Sequence, residues 1–552
     1  MKFKKVFFVV IIIILAIIPV KGADVSTGNQ VFVNCKITGA DGKSPILANA
    51  SLSEISEYIY DPIQSVQAGA DGKFTMNIKG PGLYKLWITA VNHETLQIPL
   101  IITKDDQKID INVTLTGYTK PNNLEEIKII GSWNSFDFRK AEPMQRRPDG
   151  TFVYERSVEG NSISYQLKGV IERNLIPGTT SDSYEYDNMG GYKSIIKVKP
   201  GKVKIVFNPS LLAFAKEEDR PLVVYGKKHD NLKTIFDISY QWQQTISKYS
   251  KAMKEWHATN TVSSKFSFDC PEFISTLERI LNNTNDLMIK QYANIYYLHA
   301  LAISNQLDTE KLKKILSITP PSSIYWGIQP NAIVVLSTGL IEESPEILED
   351  FYKQNPNRIV QARALISMAL IYQKNGAEDK VKELYLLLKS KYADLKDIER
   401  EITGINPDRL IQRGKPVPSF NIKTFDGEIV SNKILTGKYY LMDFWASWCG
   451  SCIEEMSYLH KAYEKYSSKG LIVISLSMDY SQKEVEKFRA DKWPMPWMHF
   501  LVEGGFNDKI VRDFELRGLP HPVFIGPDGI ILAVDAELRG EMLEKTLGEY
   551  LK

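Results

Sequence analysis

The feature that most restricts how this chain can fold is a pair of cysteines, separated by two residues, near its C-terminal end. Cys449 and Cys452 follow the apolar and aromatic run at 441–448, LMDFWASW, and precede a helical pattern. Two cysteines at this spacing can close a small disulfide and open it again. The pair therefore indicates thiol redox chemistry at the junction of a buried strand and a helix.

The segment after Cys452 has the pattern of an amphipathic helix, because Leu459, Ala462 and Tyr463 recur on one face. The rest of the helix surface carries Glu454, Glu455, Lys461, Glu464 and Lys465. Cys449 would then lie at a helix N-terminus, where unpaired N–H groups and the helix dipole lower a cysteine pKa from about 8.5 to roughly 3.5–7.5. We expect Cys449 to be the nucleophile and Cys452, facing inward one turn later, to resolve a mixed disulfide.

From about Gly414 to the end, the chain resembles the extracytoplasmic thiol-disulfide oxidoreductases of the TlpA and ResA type, within the thioredoxin superfamily. The resemblance rests on the entry segment 414–420 (GKPVPSF), the hairpin 424–428 (TFDGE), the strand at 437–444, the cysteine pair, and 517–529 (RGLPHPVFIGPDG). It implies a C-terminal α/β thioredoxin-like domain, drawn at 412–552 and called here the redox domain.

The same resemblance implies roles for four more residues. Pro520 matches the cis-proline, which in relatives packs beside the cysteine pair and keeps a backbone edge open to a substrate chain. Asp443 falls where thioredoxins carry a buried acid that moves protons for the resolving cysteine. Trp448 and Leu519, next to these residues in sequence, are the predicted substrate contacts.

Three residues depart from the family pattern. Ser451 stands between the cysteines where many relatives have proline, Ser457 where a helix-kinking proline is common, and Pro522 follows Pro520 closely. The dipeptide between the cysteines helps to set the reduction potential in this family, so the resemblance leaves the direction of electron flow open.

Two other interpretations of the cysteine pair are a structural disulfide and part of a zinc site. Bridges that close so short a loop are often strained and redox-labile, which favours a reactive pair. Two thiolates supply half of a tetrahedral zinc site, and no second Cys or His pair lies nearby in the sequence. We therefore expect no metal and no bound cofactor.

The first residues have the features of a secretory signal peptide, predicted at 1–22. A positive start, MKFKK, is followed by an apolar run at 6–20 that is short for a membrane span, and Gly22 and Ala23 supply small residues for cleavage. The alternative is retention of this segment as an N-terminal membrane anchor. Export would place the cysteine pair in the oxidising periplasm or cell envelope, where a dedicated electron donor, expected in the membrane, must keep it reduced unless it acts as an oxidant.

Two β-rich units precede the redox domain, as expected for a chain of 552 residues, which is long enough for three or four domains. The first β unit (30–118) shows strand-like alternation at 31–38, 48–55, 73–79, 83–90, 96–102 and 109–115 and resembles carboxypeptidase regulatory-like sandwiches. The second β unit (124–215) resembles the early-set sandwich of glycogen-binding modules. Its Trp133 would stack on a sugar ring if exposed, or fill the sandwich core if buried.

A helical region (230–404) follows, with an apolar stripe formed by Ile235, Ile238, Trp242, Ile246 and Tyr249. Segments 358–372 and 381–392 predict an antiparallel pair similar to a tetratricopeptide hairpin, without a fixed repeat. Tyr292, Tyr296 and Tyr297 are predicted to lie in its core. The remaining cysteines, Cys35 and Cys270, are expected to be buried and small, with a bridge between them as the alternative.

The sequence thus predicts an exported multidomain protein with two N-terminal β-sandwiches, a helical middle and a thioredoxin-like domain that exchanges thiols with disulfides of envelope proteins. A formal net charge of +2 is too small to predict nucleic-acid binding. The rival hypothesis is a binding protein, in which the N-terminal units hold a glycan or an envelope protein and the redox pair is vestigial.

Overall fold

The computed structural model describes residues 30–552, apart from 56–61, 122, 123, 125, 172–174, 217, 260–265 and 340–344. The predicted signal peptide at 1–22 lies outside the described residues. Within the described part of the chain, no helix is both long enough and apolar enough to cross a membrane.

The first β unit consists of two sheets that enclose a common apolar core. Its strands are β1 (Gln30–Thr38), β2 (Ala48–Glu54), β3 (Gln64–Gln67), β4 (Lys73–Lys79), β5 (Gly82–Ala90), β6 (Leu96–Ile102) and β7 (Lys108–Thr114). One sheet contains β7-β1-β4 and the other has the order β3-β2-β5-β6. Alternate residues of β1, from Val31 to Ile37, are buried between the sheets, as the period-two pattern predicts. The sequence QSVQ of β3 lacks this alternation, and the strand was not predicted.

The second β unit packs against the first through a buried polar contact. Its strands are β8 (Tyr118–Thr119), β9 (Lys128–Gly131), β10 (Glu142–Pro143), β11 (Gln145–Arg146), β12 (Phe152–Val158), β13 (Ser162–Lys168), β14 (Ser183–Tyr186), β15 (Tyr192–Lys197), β16 (Gly201–Phe207) and β17 (Phe214–Ala215). The hydroxyl of Tyr192 meets the side chains of Asn49 and Thr89 at 3.2 and 3.0 Å. Because these groups are buried, the bonds fix how the two units meet.

After the second β unit the chain returns to the first. Strand β17 pairs with β8, and the next strand, β18 (Leu222–Tyr225), pairs antiparallel with β7 at the edge of the first unit's sheet. The second β unit is therefore inserted into the first. The sequence analysis ended the first unit at residue 118, because this pairing joins segments about a hundred residues apart and leaves no local pattern.

The helical region continues the core of the first β unit. Its helices are α1 (Asp230–Thr259), α2 (Pro271–Asn283), α3 (Leu287–Ile303), α4 (Thr309–Ile318), α5 (Ala332–Gly339), α6 (Pro345–Gln354), α7 (Arg358–Lys374), α8 (Glu378–Lys391) and α9 (Lys396–Gly404). One contiguous apolar cluster runs from β1 through Tyr225 and α1 into α3 and α7. Tyr292, Tyr296 and Tyr297 are buried in it, which confirms their predicted place in the core.

The redox domain has a central mixed sheet covered by helices. Its elements are β19 (Asn421–Lys423), β20 (Ile429–Ser431), α10 (Asn432–Leu435), β21 (Tyr439–Trp445), α11 (Gly450–Tyr466), β22 (Leu471–Ser477), α12 (Gln482–Asp491), β23 (Met498–Leu501), α13 (Lys509–Asp513), β24 (His521–Ile525), β25 (Ile531–Val534) and α14 (Glu541–Tyr550). The sheet order is β23-β22-β21-β24-β25, with β21, β22 and β23 parallel and β24 antiparallel to β21. Strand β21 is thus central, and its carboxyl end leads directly into the cysteine pair.

The two remaining cysteines are buried and unpaired in the described structure. Cys35 lies on β1, where burial raises the pKa of its thiol to about 12. Cys270 precedes α2 with its sulfur 3.3 Å from the Ser304 hydroxyl, and burial raises its pKa as well. Neither thiol is poised to react as a thiolate.

We predict that the oxidised, folded protein does not react with iodoacetamide at neutral pH, because Cys35 and Cys270 are buried as neutral thiols. Denaturation without a reductant should expose two alkylatable thiols, and denaturation after reduction should expose four. Mass spectrometry counts the added groups. If the unreduced, denatured protein exposes no thiol, Cys35 and Cys270 are bridged and the described pairing is wrong.

Candidate active site

Cys449 forms the N-cap of helix α11, and Cys452 lies in the first turn. The two sulfurs form a disulfide, with the Cα atoms 5.3 Å apart. The N–H of Cys452 also points at the Cys449 sulfur, at 3.2 Å. Cys449 is 8% exposed and Cys452 1% exposed, so solvent reaches the first sulfur before the second. The predicted position at the helix N-terminus is the one observed, and a thiolate formed on Cys449 would receive an N–H and the positive end of the helix dipole.

A buried carboxylate at the end of β22, the neighbouring strand, holds the loop that joins β21 to the cysteines. Asp479, just after β22, accepts hydrogen bonds from the backbone N–H and the hydroxyl of Ser447, the latter at 2.6 Å. Its other oxygen accepts from the hydroxyl of Ser477 at 2.7 Å. The loop is therefore clamped to the carboxyl end of β22, and this fixes where α11 begins.

The proline loop lies against the cysteine pair. The peptide bond between Leu519 and Pro520 is cis, as the resemblance implied. The hydroxyl of Ser451 donates to the carbonyl of Leu519 at 3.3 Å and lies 3.5 Å from the sulfur of Cys449. Ser451, which departs from the family pattern, thus connects the reactive sulfur with the proline loop. Pro522 lies on β24 directly opposite Asp443 of β21.

Two carboxyl groups, on β21 and α11, interact with each other and with one arginine. Asp443 is buried on β21, and burial together with the nearby charge of Glu455 raises its pKa to about 7. Burial also raises the pKa of Glu455, although the Gly540 N–H donates to its carboxylate at 2.7 Å. The charge of Arg539 opposes both shifts. At neutral pH the Asp443 carboxyl group can therefore both hold and release a proton.

A histidine and an aspartate brace the other side of the proline loop. His521, the residue after Pro520, is buried with Nδ1 2.6 Å from a carboxylate oxygen of Asp535 and Nε2 3.2 Å from the carbonyl of Phe514. Each ring nitrogen therefore lies within hydrogen-bond distance of an oxygen acceptor. The loop is thus tied to the turn after β25.

The predicted substrate contacts lie at the surface of this site. The side chain of Trp448 is 51% exposed immediately before Cys449, and Leu519 is partly buried beside Pro520. The structure therefore brings together all six residues singled out from the sequence, and an exposed aromatic ring stands next to the more accessible sulfur.

The helical region and the segment that follows it both contact the redox domain. Burial, together with the charge of Glu454 on α11, raises the pKa of Tyr249 on α1. The buried Arg409 of the connecting segment donates to the carbonyl of Ile411 at 2.7 Å and lies 3.8 Å from Glu515. The redox domain is thus attached by specific contacts as well as by the chain.

Trp133 of the second β unit is engaged within its own unit. Its ring stacks with Tyr154 at 5.6 Å between centroids, and the guanidinium of Arg156 lies 4.4 Å from the ring centroid. Its N–H donates to Glu142 at 2.8 Å. Because ring and donor already have partners, this geometry favours the structural role considered for Trp133 over sugar stacking.

Comparisons with known proteins agree with this geometry. Residues 413–534 match the model of the AhpC/TSA family. Among curated proteins, the chain is 30% identical over 139 residues to the thiol-disulfide oxidoreductase ResA of Bacillus thuringiensis subsp. konkukian, covering 25% of this chain and 76% of that protein. The chain belongs to the ResA family of thiol-disulfide oxidoreductases.

Two further matches concern the same ResA-type domain. The thioredoxin-like protein YneN of Bacillus subtilis is 30% identical over 144 residues, covering 26% of this chain and 79% of that protein. Among solved structures, the thioredoxin domain of a thiol-disulfide oxidoreductase from Bacteroides vulgatus is 29% identical, with a TM-score of 0.24, and the match covers 26% of this chain and 99% of that one. The family names of the two β units stay predictions.

Sequence reasoning missed three polar residues of the ResA-type site. Glu455 follows Cys452 by three residues, so helical spacing could have placed it on the same face as the cysteine. Asp479 and Arg539 act across 32 and 19 residues of sequence, on Ser447 and Pro520, and no local pattern marks them. Among the described residues, no cluster of His, Cys, Asp or Glu is arranged to hold a metal ion.

We predict that Asp443→Asn stabilises the oxidised ResA-type domain above pH 7 and not near pH 4. Because the folded pKa of Asp443 is raised to about 7, its ionisation costs stability progressively as pH rises from about 4 to about 7. Asn stays neutral, so its advantage should reach on the order of 2–4 kcal/mol at pH 8. Native-state hydrogen exchange of the β21 amides in the full chain measures this difference.

The exposed Asp491→Asn, at the end of α12, is the matched control and should change stability equally little at both pH values. A gain for Asp443→Asn that is the same at pH 4 and pH 8 would show that the Asp443 carboxyl does not carry the burial cost described.

Proposed function

We propose that this protein is an exported reductase of protein disulfides, which works through the Cys449 and Cys452 dithiol. The observation that carries the proposal is the position of Cys449, at a helix N-terminus and more exposed than Cys452, with the buried carboxyl group of Asp443 on the strand that leads into the pair. These features supply a stabilised nucleophile, a shielded second thiol and a proton acceptor.

The reaction proceeds through two thiol-disulfide exchanges. In the first, the Cys449 thiolate attacks one sulfur of a substrate disulfide, forms a mixed disulfide and releases the other sulfur as a thiolate. In the second, the sulfur of Cys452 attacks Cys449, restores the disulfide of the enzyme and releases the remaining substrate thiolate. The dithiol loses two electrons, which the substrate gains.

Asp443 supplies the proton acceptor for the second step. Cys452 is buried as a thiol and must lose its proton before it can attack. A carboxyl group with a pKa of about 7 is ionised in part at neutral pH, so it can take that proton and later return it to a departing thiolate. The transfer is direct or passes through one water.

The substrate lies along the proline loop in this proposal. Trp448 contacts the segment next to the substrate disulfide, and the backbone beside Pro520, including Leu519, positions it. The hydroxyl of Ser451, now on the Leu519 carbonyl, can turn to the Cys449 thiolate after reduction, because it lies within reach of both. That turn would leave the carbonyl free for a substrate N–H.

Export and partners complete the proposal. The signal-like start at 1–22 would direct the chain to the periplasm or cell envelope, and a membrane electron donor would reduce the enzyme disulfide again. In this proposal the units are the two β units at 30–118 and 124–215, the helical region at 230–404 and the redox domain at 412–552. Strand β18 belongs to the first β unit, because it pairs with β7. The N-terminal units would dock envelope proteins.

Trapping of the mixed disulfide tests this assignment. In Cys452→Ser, Cys449 can attack but the product cannot be resolved, so reduced protein mixed with a disulfide-bonded peptide should accumulate a covalent adduct visible on a non-reducing gel. Cys449→Ser should give no adduct and no turnover. The first residue of the pair, and not the second, is thereby identified as the nucleophile.

Cys270→Ala is the control, because this cysteine is buried far from the pair in sequence and its loss should leave turnover unchanged. Full disulfide reduction by Cys449→Ser, or an adduct formed through Cys270, would refute the assignment.

A further inference from the structure

Arg539 lies between the proline loop and the buried carboxyl groups. It follows the short turn after β25 and precedes α14, and its guanidinium donates a hydrogen bond to the carbonyl of Pro520. The adjacent N–H, that of Gly540, donates to the carboxylate of Glu455 at 2.7 Å. Two consecutive residues therefore contact the proline loop and helix α11.

The arginine side chain is partly buried and lacks a full set of partners. Its Nε has no hydrogen-bond partner within the described structure and is shielded from solvent. A buried guanidinium normally pairs with acceptors, because the cost of removing it from water is otherwise not recovered. The two carboxyl groups nearby, Asp443 and Glu455, are the groups whose charge can offset this cost.

The charges around the carboxyl pair are few. Glu455 of α11 and Arg539 are the charged groups that act on Asp443, and its partners on the neighbouring strands, Ser475 of β22 and Pro522 of β24, are uncharged. Glu454 acts on Glu455 in addition. Arg539 is thus the cation that acts on both carboxyl groups.

We propose that Arg539 is a positioning residue that couples the proline loop to the proton acceptor: one guanidinium holds the Pro520 carbonyl and lies beside the carboxyl groups of Asp443 and Glu455. This inference rests on the proposed reductase function. It adds that the loop receiving substrate and the carboxyl group receiving the Cys452 proton are set by the same side chain. Movement of the loop on substrate binding would therefore alter the charge near Asp443.

The sign of the effect follows from electrostatics. Without Arg539, both carboxyl groups lose their stabilising cation, so Asp443 stays protonated to higher pH and cannot accept a proton at pH 7. Without the negative charge of Glu455, Asp443 loses a repulsive neighbour and ionises at lower pH. The two substitutions should therefore shift the pH dependence of resolution in opposite directions, which a general loss of structure would not do.

The test is the single-turnover reduction of a disulfide-bonded peptide by the pre-reduced full-length protein between pH 5 and pH 9. Arg539→Met should raise the pH midpoint of the resolution step by about one unit and slow that step about tenfold at pH 7. Glu455→Gln should lower the midpoint. Arg539→Lys should bring the midpoint back towards that of the wild type, because it restores the charge.

Arg512→Met, an exposed arginine on α13, is the matched control and should leave the midpoint unchanged. A wild-type midpoint in Arg539→Met, or shifts of the same sign in Arg539→Met and Glu455→Gln, would overturn the inference. If Arg539→Met does not fold, Arg539→Lys and Glu455→Gln decide: an unshifted Glu455→Gln overturns it. A wild-type protein without turnover would instead refute the proposed function.

Discussion

The redox site depends on the pairing of β21 with a strand on each side. Parallel pairing with β22 brings Asp479 to the loop that ends in Cys449, and antiparallel pairing with β24 brings the cis peptide at Pro520 beside the same loop. Asp443, a buried residue of β21 itself, lies on the strand between these two pairings. The cysteine pair, the Asp443 carboxyl group and the proline loop therefore owe their relative positions to one central strand.

The second constraint is the cost of burying charge next to a reactive sulfur. Asp443 is buried and Glu455 is partly buried, and their raised pKa values are the electrostatic result. A wholly apolar site would stabilise the fold more, but in the proposed reaction it would offer no acceptor for the Cys452 proton. The domain thus retains an unfavourable carboxyl pair, with Arg539 as the compensating cation, where the exchange reaction needs a proton to move.

The redox domain also contacts the rest of the chain. Tyr249 of the helical region lies near Glu454, and the buried Arg409 of the connecting segment lies beside Glu515. The helical region also shares an apolar core with the first β unit. The redox domain is therefore joined through the helical region to the first β unit, unlike a free-standing thioredoxin-like domain.

The local sequence pattern was sufficient to predict the elements whose structure depends on neighbouring residues. The cysteine spacing, the helix after it and the proline loop were predicted correctly as structure, as were the strands of the first β unit except β3, whose QSVQ sequence has no apolar alternation. What could not be predicted depends on contacts between distant segments: β18 returning to β7, and Gly540 reaching Glu455 across 85 residues. Neither has a signature in the sequence near it.

The most direct test of the central claim is the reduction potential of the Cys449 and Cys452 pair, measured in the full-length protein by equilibration with thiol-disulfide buffers and trapping of free thiols. For the proposed reductase we expect a reversible two-electron exchange near the thioredoxin value of about −270 mV. A potential near about −120 mV, typical of a strong oxidant, or a pair that does not exchange at all, would contradict it.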